Sequence, residues 1–241
     1  MQHNVLVFPV VAGKDPHEIA QELRSRPREY EESRRRAGIT LERAYLQHTP
    51  MGDYTVVYYE TDGDIAESFA KLARSDLEID RWMVDAIKEI HGVDVTQPMP
   101  ADQIPETPRP WIDENVTARR RGMALCAPLR PGVVEKGRRF VDDAYSRPEY
   151  AESRRSLDVN VELVTINYTP QGEVAGIYIE GSDPAAANRG FAASTKPFDV
   201  WFKEQLAGIF PDQVDFAKPV EPTEEIFDSS TVVDLSLRKA A

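Results

Sequence analysis

Side chains able to do acid–base or nucleophilic chemistry are few in this sequence. The four histidines, His3, His17, His48 and His91, all lie in the N-terminal half. No H-x-H, H-x-x-E-H or H-E-x-x-H spacing occurs, so no metal site is expected. The single cysteine, Cys126, sits between small apolar residues and reads as a buried filler. One cysteine also excludes an intramolecular disulfide or a multi-cysteine metal site. No phosphate-binding loop, dinucleotide fingerprint or nucleophile elbow is present.

Carboxylates and phenols on alternating positions are more informative. Glu42, Ala44, Leu46 and His48 alternate along one stretch; Tyr54, Val56, Tyr58 and Glu60 alternate along the next. In extended chains such residues share a face. The intervening Thr55, Val57 and Tyr59, with Ala175, Ile177 and Ile179 further on, suit a helix-covered side. The Glu-plus-Tyr faces are therefore expected to look into an enclosed, apolar space. There a carboxylate and a phenol have altered titration and can move a proton. Glu42, His48, Tyr58 and Glu60 are the catalytic candidates; Tyr45, Arg34, Arg35, Tyr168 and Tyr178 are the ligand-binding candidates. Arg34 and Arg35 are expected either to brace neighbouring strands or to capture an anion. The plainer alternative for the strand faces is a buried Glu–Arg or Glu–Tyr hydrogen bond.

The elements that position these residues come as a duplication. Positions 29–60 align with 149–180 without gaps, and 12 of 32 residues are identical. EYEESRR from Glu29 recurs as EYAESRR from Glu149, and Thr49-Pro50-Met51-Gly52 recurs as Thr169-Pro170-Gln171-Gly172. Asp80 to Trp82 matches Asp199 to Trp201, Val93-Asp94 matches Val214-Asp215, and Pro98 matches Pro219.

Each copy reads as a strand (4–11; 123–127), a helix, and a second helix carrying the EYxESRR motif. A hairpin of two strands follows (41–48 and 54–60; 161–168 and 174–180), closed by Thr-Pro-x-Gly turn chemistry. Ile79, Trp82, Met83, Ala86, Ile87 and Ile90 then make a helical apolar stripe, repeated by Phe198, Trp201, Phe202, Leu206 and Ile209. Trp82 and Trp201 belong to the core on this pattern. A last short strand is expected at 93–95 and 214–216. The order β-α-β-β-α-β is the ferredoxin-like unit.

The expected division is a first unit at 1–97, a proline-rich linker at 98–121, a second unit at 122–219 and a tail at 220–241. The tail is β-like from Ser230 to Leu237 and either adds a strand or wraps the other copy.

The element order, with the EYxESRR…TPxGD…vvYyE…FDxWF…GVD pattern, resembles the dimeric α+β barrel superfamily, in which two ferredoxin-like units face each other. Within it, the pattern resembles a bacterial family of unknown function. The resemblance implies an α+β fold of two tandem ferredoxin-like units forming a pseudo-dimeric barrel. Its members include cofactor-free monooxygenases, isomerase-like proteins, haem enzymes and binding proteins. The haem-holding relatives use a histidine in the second unit, and copy two has none. No cofactor is therefore expected.

The chain's 241 residues fit one to two domains at roughly 150 residues each. Net charge is −12, and an acidic surface argues against nucleic acid as a partner. No 18-residue apolar run or signal-peptide pattern occurs, so a cytoplasmic protein without membrane contact is expected. The expected function is binding of a small apolar or aromatic molecule in a pocket between the units, with proton-transfer, isomerase-type or monooxygenase-like chemistry. A non-catalytic structural protein with a filled interior is the alternative. The chain is expected to be a monomer, as a pseudo-dimer, or a homodimer.

Overall fold

In a computed structural model, residues 1–97, 100 and 103–235 are described. Pro98, Met99, Ala101 and Asp102 of the expected linker, and the tail from Ser236 on, lie outside the described residues. The chain divides into two units. Unit 1 is Met1–Ile104 with the tail from Glu224; unit 2 is Pro105–Thr223.

Unit 1 runs β1 (Gln2–Pro9), α1 (His17–Ser25), α2 (Pro27–Ala37), β2 (Ile39–Thr49), β3 (Gly52–Thr61), α3 (Ile65–Ala73) and α4 (Glu78–His91). Unit 2 begins with a short β4 (Trp111–Ile112). It repeats the series as β5 (Arg121–Pro128), α5 (Val134–Ser146), α6 (Pro148–Ser156), β6 (Val159–Thr169), β7 (Gly172–Gly181), α7 (Pro184–Ala193) and α8 (Pro197–Ala207). The tail supplies β8 (Glu224–Asp228). Each unit is a four-stranded antiparallel sheet with helices, ordered β1-β3-β2-β8 and β4-β6-β7-β5. The fold class is α+β, with two tandem ferredoxin-like units.

The fourth strand of each sheet does not come from where the sequence places it. Residues 93–95 and 214–216 form no strand. Asp94 Oδ1 accepts from the Thr96 N–H, and Val214 N–H closes a turn on Pro211 O. Val93, Val95, Val214 and Phe216 still pack on the cores. Their apolar character thus records packing rather than sheet pairing. The fourth place is taken by Trp111–Ile112, within the expected linker, and by Glu224–Asp228 of the tail. The Ser230–Leu237 stretch instead opens with a single 3-10 turn at Ser229–Thr231.

β8 is fastened by more than its ladder. Arg43 Nε donates to Asp228 at 2.9 Å, Arg24 donates to Ile226 O at 2.7 Å, and the Phe227 ring stands edge-on to Tyr30. Helices α3 and α7, which the sequence pattern does not separate out, start at aspartate N-caps. Asp64 accepts from Ala66 and Glu67 N–H, and Asp183 accepts from Ala186 N–H.

α2 ends at Gly38, whose φ of 77° closes the helix on Arg34 and Arg35 carbonyls. The same place in unit 2 is Asp158 at φ 56°. Aspartate tolerates this region better than most residues. Its carboxylate is engaged by Arg120 and Ser182.

Candidate functional site

The EYxESRR motif explains itself once helical. Tyr30, Ser33 and Arg34 fall at i, i+3 and i+4 of α2 and turn inward together, as do Tyr150, Ser153 and Arg154 of α6. Arg34 is 1% exposed and Arg154 3%, so both guanidinium groups need buried partners. Glu42 on β2 and Glu162 on β6 supply them. Arg34 Nε donates to Glu42 Oε2 at 2.7 Å. Arg154 pairs with Glu162 through both Nε and Nη2, the latter at 3.2 Å. Ser33 donates to Asp80 of α4 and Ser153 to Asp199 of α8, linking each pair to a second helix. Burial opposes the charge on both arginines, but the adjoining carboxylates outweigh it and raise their pKa above the ordinary value. In both copies the motif therefore forms a buried ion pair between helix and sheet. Arg35 is exposed and pairs with Glu32.

The copies diverge around this pair. In unit 1, Glu42 also accepts the Tyr30 hydroxyl at 2.9 Å and the Tyr59 hydroxyl at 3.1 Å. In unit 2, Ile179 replaces Tyr59 opposite the glutamate. The Tyr150 hydroxyl, counterpart of Tyr30, is buried without a well-formed hydrogen bond. Its ring packs 4.3 Å from that of Tyr145. Burial first, then the charge of Glu162, push both phenols above their ordinary pKa.

Unit 2 holds a cavity of about 120 Å³ between its sheet and its helices, against about 50 Å³ in the same place in unit 1. The walls are apolar: Val164, Ile166, Ile177 and Ile179 from the sheet, Phe140, Phe191 and Phe202 from the helices. Tyr145, Arg154 and Glu162 form its polar end. Pro108, Lys218 and Val220 also border it; Val220 N–H is held by Asn188 Oδ1 at 2.9 Å. In unit 1, Tyr59 and the tail residues Ile226 and Phe227 crowd the equivalent space. An apolar cavity of roughly 150 Å³ accepts benzene, so the unit 2 space is about one ring in size.

Among the residues singled out from sequence, the structure separates Glu42 from Tyr58 and Glu60. The hairpin loop is two residues, Pro50 and Met51, so Glu42 pairs with Tyr59 and Ala44 with Val57. Directly opposed residues share a face. The Glu42 face is thus the helix side, together with Tyr59, and the expected common face of Glu42, Tyr58 and Glu60 is corrected by this register. Tyr58 and Glu60 lie on the other side, where Tyr58 donates to Glu60 at 2.9 Å and meets His3 Nδ1 at 2.9 Å. Tyr178 and Glu180 repeat that bond at 2.9 Å. Tyr45 is buried and shares the Tyr58 face. His48 is exposed at the hairpin end and bonds Asp53 at 2.8 Å; Tyr168, its counterpart, stands opposite Glu173. Of these candidates only Glu42 lines the unit 1 cavity. Glu162 and Arg154, which are not among those candidates, line the larger one. The Tyr59/Ile179 difference beside an identical Glu was the signal available.

Among the described residues, no three His, Cys, Asp or Glu side chains gather as a metal site. No described helix is long and apolar enough to cross a membrane. Burial pushes the Cys126 thiol up to about 12, which leaves it unreactive near neutral pH.

No family model matches the sequence, and no curated protein matches it. Solved structures do. One from Fusobacterium nucleatum subsp. nucleatum, provisionally assigned as a monooxygenase, superposes with a TM-score of 0.50 at 8% identity, covering 94% of this chain and 92% of that one. One from Lactobacillus acidophilus NCFM with the same provisional assignment gives 0.49 at 12% identity, covering 94% of each chain. An anthrone oxidase-like protein gives 0.49 at 10% identity, covering 92% and 90%. At such identities the likeness of the Fusobacterium protein bears on fold alone, and it agrees with the tandem ferredoxin-like architecture described above.

Proposed function

We propose that unit 2 binds a small, mainly apolar ring compound between its sheet and helices, with the ligand's polar group at Glu162. The observation that carries this is a one-ring apolar cavity ending on an Arg154–Glu162 pair. Pockets of this kind, apolar with a few convergent polar groups, are the usual form of small-molecule sites.

The chemistry available at the polar end is proton transfer. Glu162 accepts a proton from a ligand hydroxyl or an acidic C–H, and Arg154 balances the charge. Removing that proton leaves an electron-rich anion, the species a cofactor-independent monooxygenase presents to oxygen. The monooxygenase-like reading is in keeping with the provisional assignment of the Fusobacterium protein of like fold. Unit 1 offers less room: Tyr59, Ile226 and Phe227 line a cavity of about 50 Å³.

Thermal unfolding in the presence of single-ring arenes tests the binding. A ligand at 100 times its dissociation constant adds about 2.7 kcal/mol, so the melting temperature rises by several degrees. Ile177→Phe, which fills the cavity, should abolish the rise. An unchanged response in that variant would place binding elsewhere.

A further inference from the structure

This inference rests on the reading of the unit 2 cavity as a ligand site and names the chemistry of its ligand. The register sets Tyr59 opposite Glu42 and Ile179 opposite Glu162. The Tyr59 hydroxyl donates to Glu42 Oε1 at 3.1 Å, and its ring meets Phe69 edge-to-face, with 5.6 Å between centroids. The N-cap residues Asp64 and Asp183 align α3 with α7, so Asn188 stands where Phe69 does. Ile179 and Asn188 both line the unit 2 cavity. Two rings present in unit 1 are therefore missing in unit 2, and the cavity adjoins both positions.

Unit 1 thus holds a buried phenol on a glutamate, supplied by its own chain. Unit 2 keeps the glutamate and its arginine, and has space in place of the phenol. We infer that the unit 2 cavity takes a phenol, an aromatic ring bearing a hydroxyl, whose O–H donates to Glu162 as that of Tyr59 does to Glu42. Arg154 uses one acceptor site on each Glu162 oxygen. A carboxylate offers about four, so capacity for the phenol remains. The surrounding Val164, Ile166 and Ile177 side chains suit the ring.

Titration calorimetry on the full chain with p-cresol and p-xylene tests this. The two share a shape and differ by a hydroxyl in place of a methyl group. p-Cresol should bind once per chain and about tenfold more tightly than p-xylene, as expected for a hydrogen bond to a charged group. Glu162→Gln, which keeps the side-chain shape, should cut that preference to about threefold or less. Ile179→Tyr, which copies unit 1, should weaken both ligands at least tenfold. Equal affinities, or tighter p-xylene, would overturn the phenol inference while leaving ring binding intact. Binding of neither compound by the native chain would overturn both. Native-like p-cresol binding by Ile179→Tyr, or an undiminished preference in Glu162→Gln, would also refute the phenol's placement at Glu162.

Discussion

At the scale of single residues, the two copies act as controls for one another. His91 ends α4 and is buried against Pro9 O, with Nδ1 3.1 Å from that carbonyl; the matching residue in unit 2 is Phe210. Burial lowers the His91 pKa from 6.5 to about 4. Between those values the unfolded chain binds the extra proton and the folded chain does not. Stability therefore rises with pH across that window. The contribution is fully present above pH 6.5 and is lost as pH falls to 4. A shift of this size corresponds to about 3 kcal/mol. His91→Phe, the residue unit 2 already uses, should flatten the stability–pH curve between pH 4 and 6.5 by that amount in urea unfolding series. A variant curve parallel to the native one would show that His91 is not the titrating group.

At the scale of elements, the hairpins and amphipathic helices were legible because their signals are local. The Thr-Pro-x-Gly turn marked both hairpins, and the stripe from Ile79 to Ile90 marked α4. The loop length also contained the register, since a turn at Pro50 and Met51 forces Glu42 opposite Tyr59. Alternation within each strand was read without that pairing, which grouped Glu42 with Tyr58 and Glu60 on the wrong face. The fourth strands were not legible. β4 and β8 are two and five residues long, and each joins a sheet by contacts distant in sequence, such as Arg43 with Asp228. Phe227 anchors β8, being 2% exposed and packed on Tyr30 and Arg24. Phe227→Ala should cost about 3 kcal/mol or more in denaturant unfolding. It should also expose residues 224–235 to limited proteolysis. A loss under about 1 kcal/mol with the tail still protected would mean that the ladder alone holds β8.

At the scale of the whole molecule, the two related units differ in how fully their interiors are packed, with about 120 Å³ of space in unit 2 against about 50 Å³ in unit 1. The core of unit 1 is continuous from Leu6 and Ile39 through Ile79 to Phe227. In unit 2, one cluster centres on Tyr150 and Phe202 and another on Ala127 and Phe210, with the cavity bordered by both. Interiors pack densely, and a void in one of two related copies sacrifices contacts that the other retains. On the proposed reading a bound ring would restore those contacts in unit 2. Methyl NMR of the full chain titrated with p-cresol tests this most directly. Saturable shifts are expected at Ile166, Ile177 and Ile179 of unit 2, with Ile39, Ile65 and Ile87 of unit 1 unmoved. Shifts centred on the unit 1 methyls, or none in either unit, would contradict that reading.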